Sequence, residues 1–235
     1  MHMFDTLLVL LIYILPVVLG LHIYYAVKRA QRPNNKGVLP VQSTGFTYDY
    51  ELGQILVSTT QAYGIQASLP VELPEILVDS HTNDRAGRSI NFAADNTQRL
   101  ELEGNFYKDF AVYAPKGFEQ ETLQFLPPNV MQLLVTEARS FDMETFGRTL
   151  NLYSQKDPRQ DQEIADELVT VATGIVAASE NFFRSFRQPE DKTALFLTGR
   201  GVQMYKLGRR QLNAHAMAIL SEIVIIILAV LLRIS

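Results

Sequence analysis

Two apolar segments, one near each end of the chain, constrain its fold more than any other feature. Residues 7–27 carry no charged side chain, and residues 214–232 carry only Glu222. A helix of about 20 apolar residues crosses a hydrocarbon core of roughly 30 Å, because each residue adds about 1.5 Å to its length. The sequence therefore predicts two transmembrane helices, with the lipid bilayer as the first partner of the chain.

The first apolar segment is predicted to be a retained span. A secretory signal peptide is the alternative, and its flanks would differ from those seen here. Residues 1–6 contain no Lys or Arg, and no A-x-A-like cleavage site follows the apolar run. A cleavable signal peptide normally has a basic N-terminal region and such a cleavage site. Because both are missing here, the retained span is favoured.

Basic residues cluster on the inner side of each apolar segment. They are Lys28, Arg29, Arg32 and Lys36 after the first, and Arg200, Lys206, Arg209 and Arg210 before the second. Positively charged flanks remain in the cytoplasm during membrane insertion. Both clusters thus predict a multi-pass protein of the cell (inner or plasma) membrane, with a cytoplasmic central domain and both termini outside.

Composition narrows the nature of the central region. The chain has no cysteine, which excludes disulfides, thiolate metal sites and a cysteine nucleophile. Residues 37–199 contain roughly twice as many acidic as basic side chains. Such an acidic surface makes nucleic acid an unsuitable partner, because the phosphate backbone is bound by positive charge.

We expect a basic juxtamembrane linker over residues 28–45 and a soluble domain over residues 46–207. The linker is rich in Pro, Gly and Asn and has no hydrophobic periodicity. In the domain, alternation or β-branched runs predict strands. These strands are residues 46–52, 55–59, 76–79, 89–93, 100–106, 110–113 and 144–153. Residues 100–106 and 110–113 are predicted to pair as a hairpin. For residues 193–207, a hairpin that turns at residues 199–201 is favoured over a helix broken there.

Two helices are predicted to pack on this sheet. Residues 130–139 form a short one, and a longer one of roughly 28 residues begins at an Asp157 N-cap that precedes Pro158. An apolar stripe follows the long helix to Phe186, and packing on the sheet is favoured over an oligomer seam. Its aromatic end, Phe182, Phe183 and Phe186, is a candidate partner surface. The predicted fold class is α+β: an antiparallel sheet packed by one long and one short helix and flanked by N- and C-terminal transmembrane helices.

One run in the middle of the chain resembles an uncharacterised family of bacterial membrane proteins with a domain of unknown function. The matching positions are Leu102, Glu103, Phe106, Lys108, Phe110, Val112, Tyr113, Ala114, Pro115, Gly117, Leu126, Pro128, Met131 and Leu134. The resemblance implies a membrane-anchored domain near the cytoplasmic face and no assigned activity. Pro127 departs from the family's Thr, so the following helix loses a side-chain N-cap. The motif itself indicates core packing rather than ligand binding.

Motifs of catalysis are absent from the sequence, which has no G-x-S-x-G, H-E-x-x-H or P-loop pattern. Asp79, His81, Asn83 and Asp84 lie in one turn-rich segment and are the nearest approach to a ligand set. A solvated loop is favoured there, because Asp and Asn form turns without a metal. No cofactor is predicted.

The apolar segments contain polar residues at helical spacing. His215 and Glu222 lie on one face of the second segment, and an unpaired carboxylate near mid-bilayer is costly. In the first segment, Pro16 leaves a carbonyl without its helical donor. Pro16 and Tyr13 are expected near the depth of Glu222 in the bilayer, and His22 near the depth of His215. These five residues are candidates for intramembrane contacts. Helix pairing is favoured over a proton or ion path.

These patterns favour a cytoplasmic interaction or scaffold domain without catalysis of its own. Its partner would be another protein or a second copy of the chain. Two alternatives stay open at this point: a membrane-anchored enzyme with a site near His81, and a subunit of an oligomeric transporter or channel that uses Glu222.

Overall fold

The computed structural model describes residues 17–21, 23–24, 32–43, 45–57, 60–84, 90–102, 104–198 and 201–204. The chain divides into two units, Asn34–Lys206 and Met1–Pro33 with Leu207–Ser235. The second predicted span lies outside the described residues, as do the candidates Tyr13, Pro16, His22, His215 and Glu222. Within the first predicted span, residues 17–21 and 23–24 are helical. No helix of the described residues combines the length and apolarity needed to span a bilayer.

The unit Asn34–Lys206, which we call the body, contains a six-stranded antiparallel sheet. Its strands in chain order are β1 (Asn35–Val38), β2 (Asp49–Val57), β3 (Thr60–Leu73), β4 (Leu77–Ser80), β6 (Phe110–Tyr113) and β7 (Asp142–Ser154). They lie side by side in the order β1-β2-β3-β7-β4-β6, and β5 (Ile90–Ala93) pairs separately with β8 (Gly201–Met204). The helices are α1 (His81–Asp84), α2 (Glu119–Phe125), α3 (Pro128–Glu137) and α4 (Gln162–Ser185). The predicted α+β class with an antiparallel sheet is confirmed.

The longest helix, α4, covers one face of the sheet. Its stripe residues Leu168, Val171 and Ile175 are fully buried, and the helix contacts β3, β7 and α3. We call the face under α4 the inner face. Alternation along the strands places Ile65 and Leu152 on it, both fully buried. The predicted packing of this helix on the sheet is confirmed.

The start of α4 differs from the prediction. Its N-cap is Asp161, whose side chain accepts a hydrogen bond from the Ile164 amide, and the helix has 24 residues. Asp157 instead binds the guanidinium of Arg159 through both carboxylate oxygens, each at 2.8 Å. Because that carboxylate also accepts from the Gln160 side chain, it stabilises a turn before the helix.

Several strands are confirmed and others were missed or misplaced. Residues 76–79, 89–93, 110–113 and 144–153 correspond to β4, β5, β6 and β7. Residues 46–52 and 55–59 were predicted as two strands and contribute to the single strand β2. The predicted linker contains β1, which pairs with β2. The longest strand, β3, was not predicted because Gly64 and Pro70 interrupt its pattern.

Both predicted hairpins are wrong. In the first, Phe106–Lys108 is a 3₁₀ turn rather than the end of a strand, although the Leu100 amide donates to the Val112 carbonyl. In the second, Lys192–Leu195 is a 3₁₀ turn, and β8 pairs with the distant β5 instead of with a neighbouring strand. Local alternation cannot reveal such a long-range partner.

The family-like run packs into the core, as its pattern indicated. Phe106 and Phe110 stack at a centroid distance of 4.9 Å, and Val112 lies with them in the main core. At the start of α3 the N-cap is Pro127, which makes no side-chain cap hydrogen bond. The predicted loss of that cap is confirmed.

Candidate functional site

The face of the sheet away from α4, which we call the outer face, carries a second and smaller apolar cluster. Its members are Ile55, Ala62, Leu77, Ala111, Tyr113, Tyr153 and Leu197. These residues come from five strands and from the segment after α4. They alternate with the residues that face α4, so they mark the opposite side of the sheet.

Buried polar side chains are embedded in this outer cluster. The Tyr153 hydroxyl lies 2.6 Å from Glu144 Oε2, and both residues are only 2% exposed. Glu144 and Tyr113 both lie opposite Leu77 in the register, one on each neighbouring strand. The outer face therefore holds a row of a tyrosine, a leucine and a glutamate across three strands, with a second tyrosine bonded to the glutamate.

A break in the regular alternation of β7 brings Glu144 and Tyr153 to the same face. Nine residues apart, they would point to opposite faces of a regular strand. Gly147 has a φ of +58°, and the β3–β7 register shifts between Ser68 and Leu73. The extra residues of this shift lie on β3, and the alternation along β7 reverses near Gly147, since Met143 and Leu150 both face the main core although they are seven residues apart. The sequence signal for this irregularity is Gly147 itself, a glycine inside the predicted strand 144–153.

A short segment after α4 lies over this face. We call residues 196–198 the strap, and Leu195 precedes it in the main core. The Leu197 amide donates to Glu75 Oε2 at 2.9 Å, and its side chain is 7% exposed. The Thr198 amide and hydroxyl both donate to Gln98 Oε1, at 2.9 and 3.0 Å. The strap is thus held by side chains of the body rather than by a strand ladder.

The candidate ligands around His81 lie at the end of β4 and in α1. The Asn83 side-chain amide and the Ser80 backbone amide both donate to Asp142 Oδ1, at 2.8 and 2.9 Å. The His81 amide donates to the Asp109 carbonyl at 2.8 Å. Ser80 and Asn83 therefore hold the turn against the start of β7. Within the described ranges, no three His, Cys, Asp or Glu side chains form a group that could hold a metal ion.

A surface recess of about 500 Å³ lies between α3 and α4. It is lined by Glu137, Glu163, Asp166, Glu167 and Thr170. Four of these five side chains are carboxylates, and the four α4 residues recur at the spacing of one helix face. The acidic composition of the body is visible in the sequence, whereas the recess is not, because it depends on how α3 packs against α4.

Charges beside the recess respond to its field. The hydrogen bond to Asp161 raises the pKa of Lys156, and the Glu163 and Glu167 carboxylates raise it further. The Lys156 hydrogen bond in turn lowers the pKa of Asp161, with help from the Ile164 amide. This side of the body is therefore strongly negative, with Lys156 as a nearby counter-charge.

The phenylalanines at the end of α4, which were a candidate partner surface, are buried. Phe182, Phe183 and Phe186 are only 6%, 2% and 9% exposed. Phe125 contacts the rings of Phe182 and Phe183 at centroid distances of 6.0 and 6.3 Å. The three phenylalanines are buried because α2 and the strand side of the core cover them, so they are core residues and do not protrude.

Asp79 and His81, which the enzyme alternative places at a pocket, do not line the acidic recess. Glu222, which the transport alternative requires, lies outside the described residues. Comparison with known proteins found no match to this chain among family models, curated proteins or solved structures.

Proposed function

We propose that this chain is a two-span membrane protein whose α+β body lies in the cytoplasm and binds a protein partner without catalysing a reaction. The membrane part of the proposal is supported by the two apolar segments and by the basic clusters on their inner sides. The resemblance to bacterial membrane proteins of unknown function supports the same arrangement. The recess between α3 and α4 is the observation that supports the binding role.

Glu137 lies where a carboxylate is electrostatically unfavourable. It is the last residue of α3, next to the negative end of the helix dipole. Across the recess lie the carboxylates of Glu163 and Glu167. A helix C-terminus opposes a negative side chain, and so do the like charges that line the same recess. Residues that lower stability without a structural benefit are typical of binding sites.

Glu163 has a structural explanation that Glu137 lacks. It lies in the first turn of α4, where the positive end of the dipole stabilises a carboxylate. The two residues therefore separate the two effects. Neutralising Glu137 should stabilise the body slightly, whereas neutralising Glu163 should not. Both changes should weaken the binding of a basic partner.

The proposed partner presents Lys or Arg side chains to the recess. A patch of one charge sign attracts a surface of the opposite sign over a Debye length of about 8 Å at physiological salt. The partner is a separate protein or the basic segment of a second copy of this chain. In either case, the complex should weaken as the salt concentration rises.

Cross-linking in native membranes tests the binding role. We expect a cross-linked species with the unaltered chain, and its loss when Glu163 and Glu167 are both changed to Lys. Glu190→Lys changes an exposed carboxylate away from the recess and serves as the matched control. The binding proposal fails if no cross-linked species forms, or if the control removes it equally.

A further inference from the structure

We propose that the strap, residues 196–198, detaches from the outer face as a separate unit while the rest of the body stays folded. The proposal concerns the body alone and does not depend on the proposed membrane topology or partner. Its basis is the difference between the strap's attachments and those of every neighbouring element.

The Phe196 amide donates to the Thr193 carbonyl within the preceding 3₁₀ turn, and the strap's hydrogen bonds to the rest of the body end on side chains. Leu197 is held by Glu75 Oε2, and Thr198 is held twice by Gln98 Oε1. Adjacent strands of the sheet are joined through backbone ladders instead. A side-chain acceptor can rotate away without a change in the backbone, whereas a ladder is lost only when strands separate. Release of the strap therefore leaves the sheet intact.

The apolar anchoring of the strap is also small. Leu197 is its one buried side chain, whereas Phe196 is 37% exposed and Thr198 is exposed. Leu195, just before the strap, is 1% exposed in the main core and accepts a backbone hydrogen bond from Glu75. Leu195 thus fixes the N-terminal end of the strap, and β8, which pairs with β5, follows its C-terminal end. Segments with few buried contacts open at a lower free energy than the core.

Detachment would uncover the part of the outer face that surrounds Leu77 and Tyr113. Leu197 shares the outer cluster with both residues. The neighbouring Glu144 and Tyr153 are polar and hydrogen-bonded to one another. Exposing them to water therefore costs less free energy than exposing an apolar core of the same area. The strap is therefore a cover over a mixed polar and apolar surface.

Hydrogen exchange of the full-length chain in detergent tests this proposal. We expect the Leu197 and Thr198 amides to exchange at least about tenfold faster, relative to their intrinsic rates, than the Leu168 and Ile175 amides of α4. Their exchange should also be insensitive to low urea, because local opening exposes little surface. Equal rates with an equal dependence on urea would show that the strap opens only when the whole body unfolds, and would overturn the proposal.

Variants sharpen the test. Gln98→Ala should speed exchange at Thr198 about five- to tenfold and leave α4 unchanged. Gln66→Ala removes a glutamine that bonds Asn151 elsewhere in the sheet, so the strap should be unaffected. Thr198→Ala loses only the hydroxyl bond and provides a milder variant if Gln98→Ala fails to fold. Faster exchange of α4 and the strap by the same factor in either strap variant would contradict independent detachment.

Discussion

The two faces of the sheet are built differently. The inner face packs against α4 and α2 through aromatic and aliphatic side chains such as Phe125, Phe182 and Leu168. The outer face mixes a few apolar residues with the hydrogen-bonded pair Glu144 and Tyr153, and the strap lies over it. Apolar burial supplies most of the free energy of folding. The inner face therefore contributes most of the stability, and the proposed detachment of the strap alters the outer face alone.

The largest expected effect compares one deletion on each face. Phe182→Ala removes a fully packed ring from the inner face and should lower the free energy of unfolding by about 3–5 kcal/mol. Leu197→Ala should cost only about 2 kcal/mol, because the strap can shift to fill the space. Urea denaturation of the full-length chain measures both. Equal losses would remove the distinction between the two faces.

A smaller effect is expected from the polar pair on the outer face. Tyr153→Phe removes the hydroxyl that lies 2.6 Å from Glu144 and keeps the ring. The free energy of unfolding should fall by about 1–3 kcal/mol, because the buried Glu144 carboxylate loses a donor. Tyr63→Phe is a control of the same chemistry at a half-buried tyrosine of β3. A loss as large as that of Phe182→Ala would show that the outer face contributes as much as the inner one.

The inner layer can still be improved at the start of α3. Pro127 occupies the N-cap with extended backbone angles and offers no acceptor to the helix amides. Pro127→Thr should raise the free energy of unfolding by up to about 1 kcal/mol. Thermal unfolding should then shift upward. An unchanged or lower midpoint would show that the proline's restriction of the unfolded chain outweighs the cap.

The last effect appears only at alkaline pH. Burial and the nearby Glu180 carboxylate together raise the pKa of Tyr48 to about 12. A raised pKa means that the folded state holds its proton longer than the unfolded state, so this stabilisation is lost as pH rises from about 10 to 12. Tyr48→Phe should make unfolding less sensitive to pH in that window. An identical alkaline unfolding profile in both proteins would contradict this.

The sequence predicted the inner face better than the outer one, for physical reasons. The stripe of α4 and the alternation of β6 and β7 repeat a local period, and a local period is visible without a partner. The pairing of β5 with β8 and the acidic recess depend on residues far apart in the chain, so no local period reveals them. The aromatic end of α4 was predicted as a contact surface although it is buried, because exposed and buried phenylalanines look the same in a sequence.

Membrane topology is the central claim, and a reporter enzyme tests it most directly. A phosphatase that is active only outside the cytoplasm can be inserted after Asn105, an exposed turn residue of the body, or fused after Ser235. The proposed topology predicts an inactive enzyme at Asn105 and an active one after Ser235, because both basic clusters lie on the body side of the spans. Activity at Asn105 without activity after Ser235 would contradict the proposed cytoplasmic location of the body.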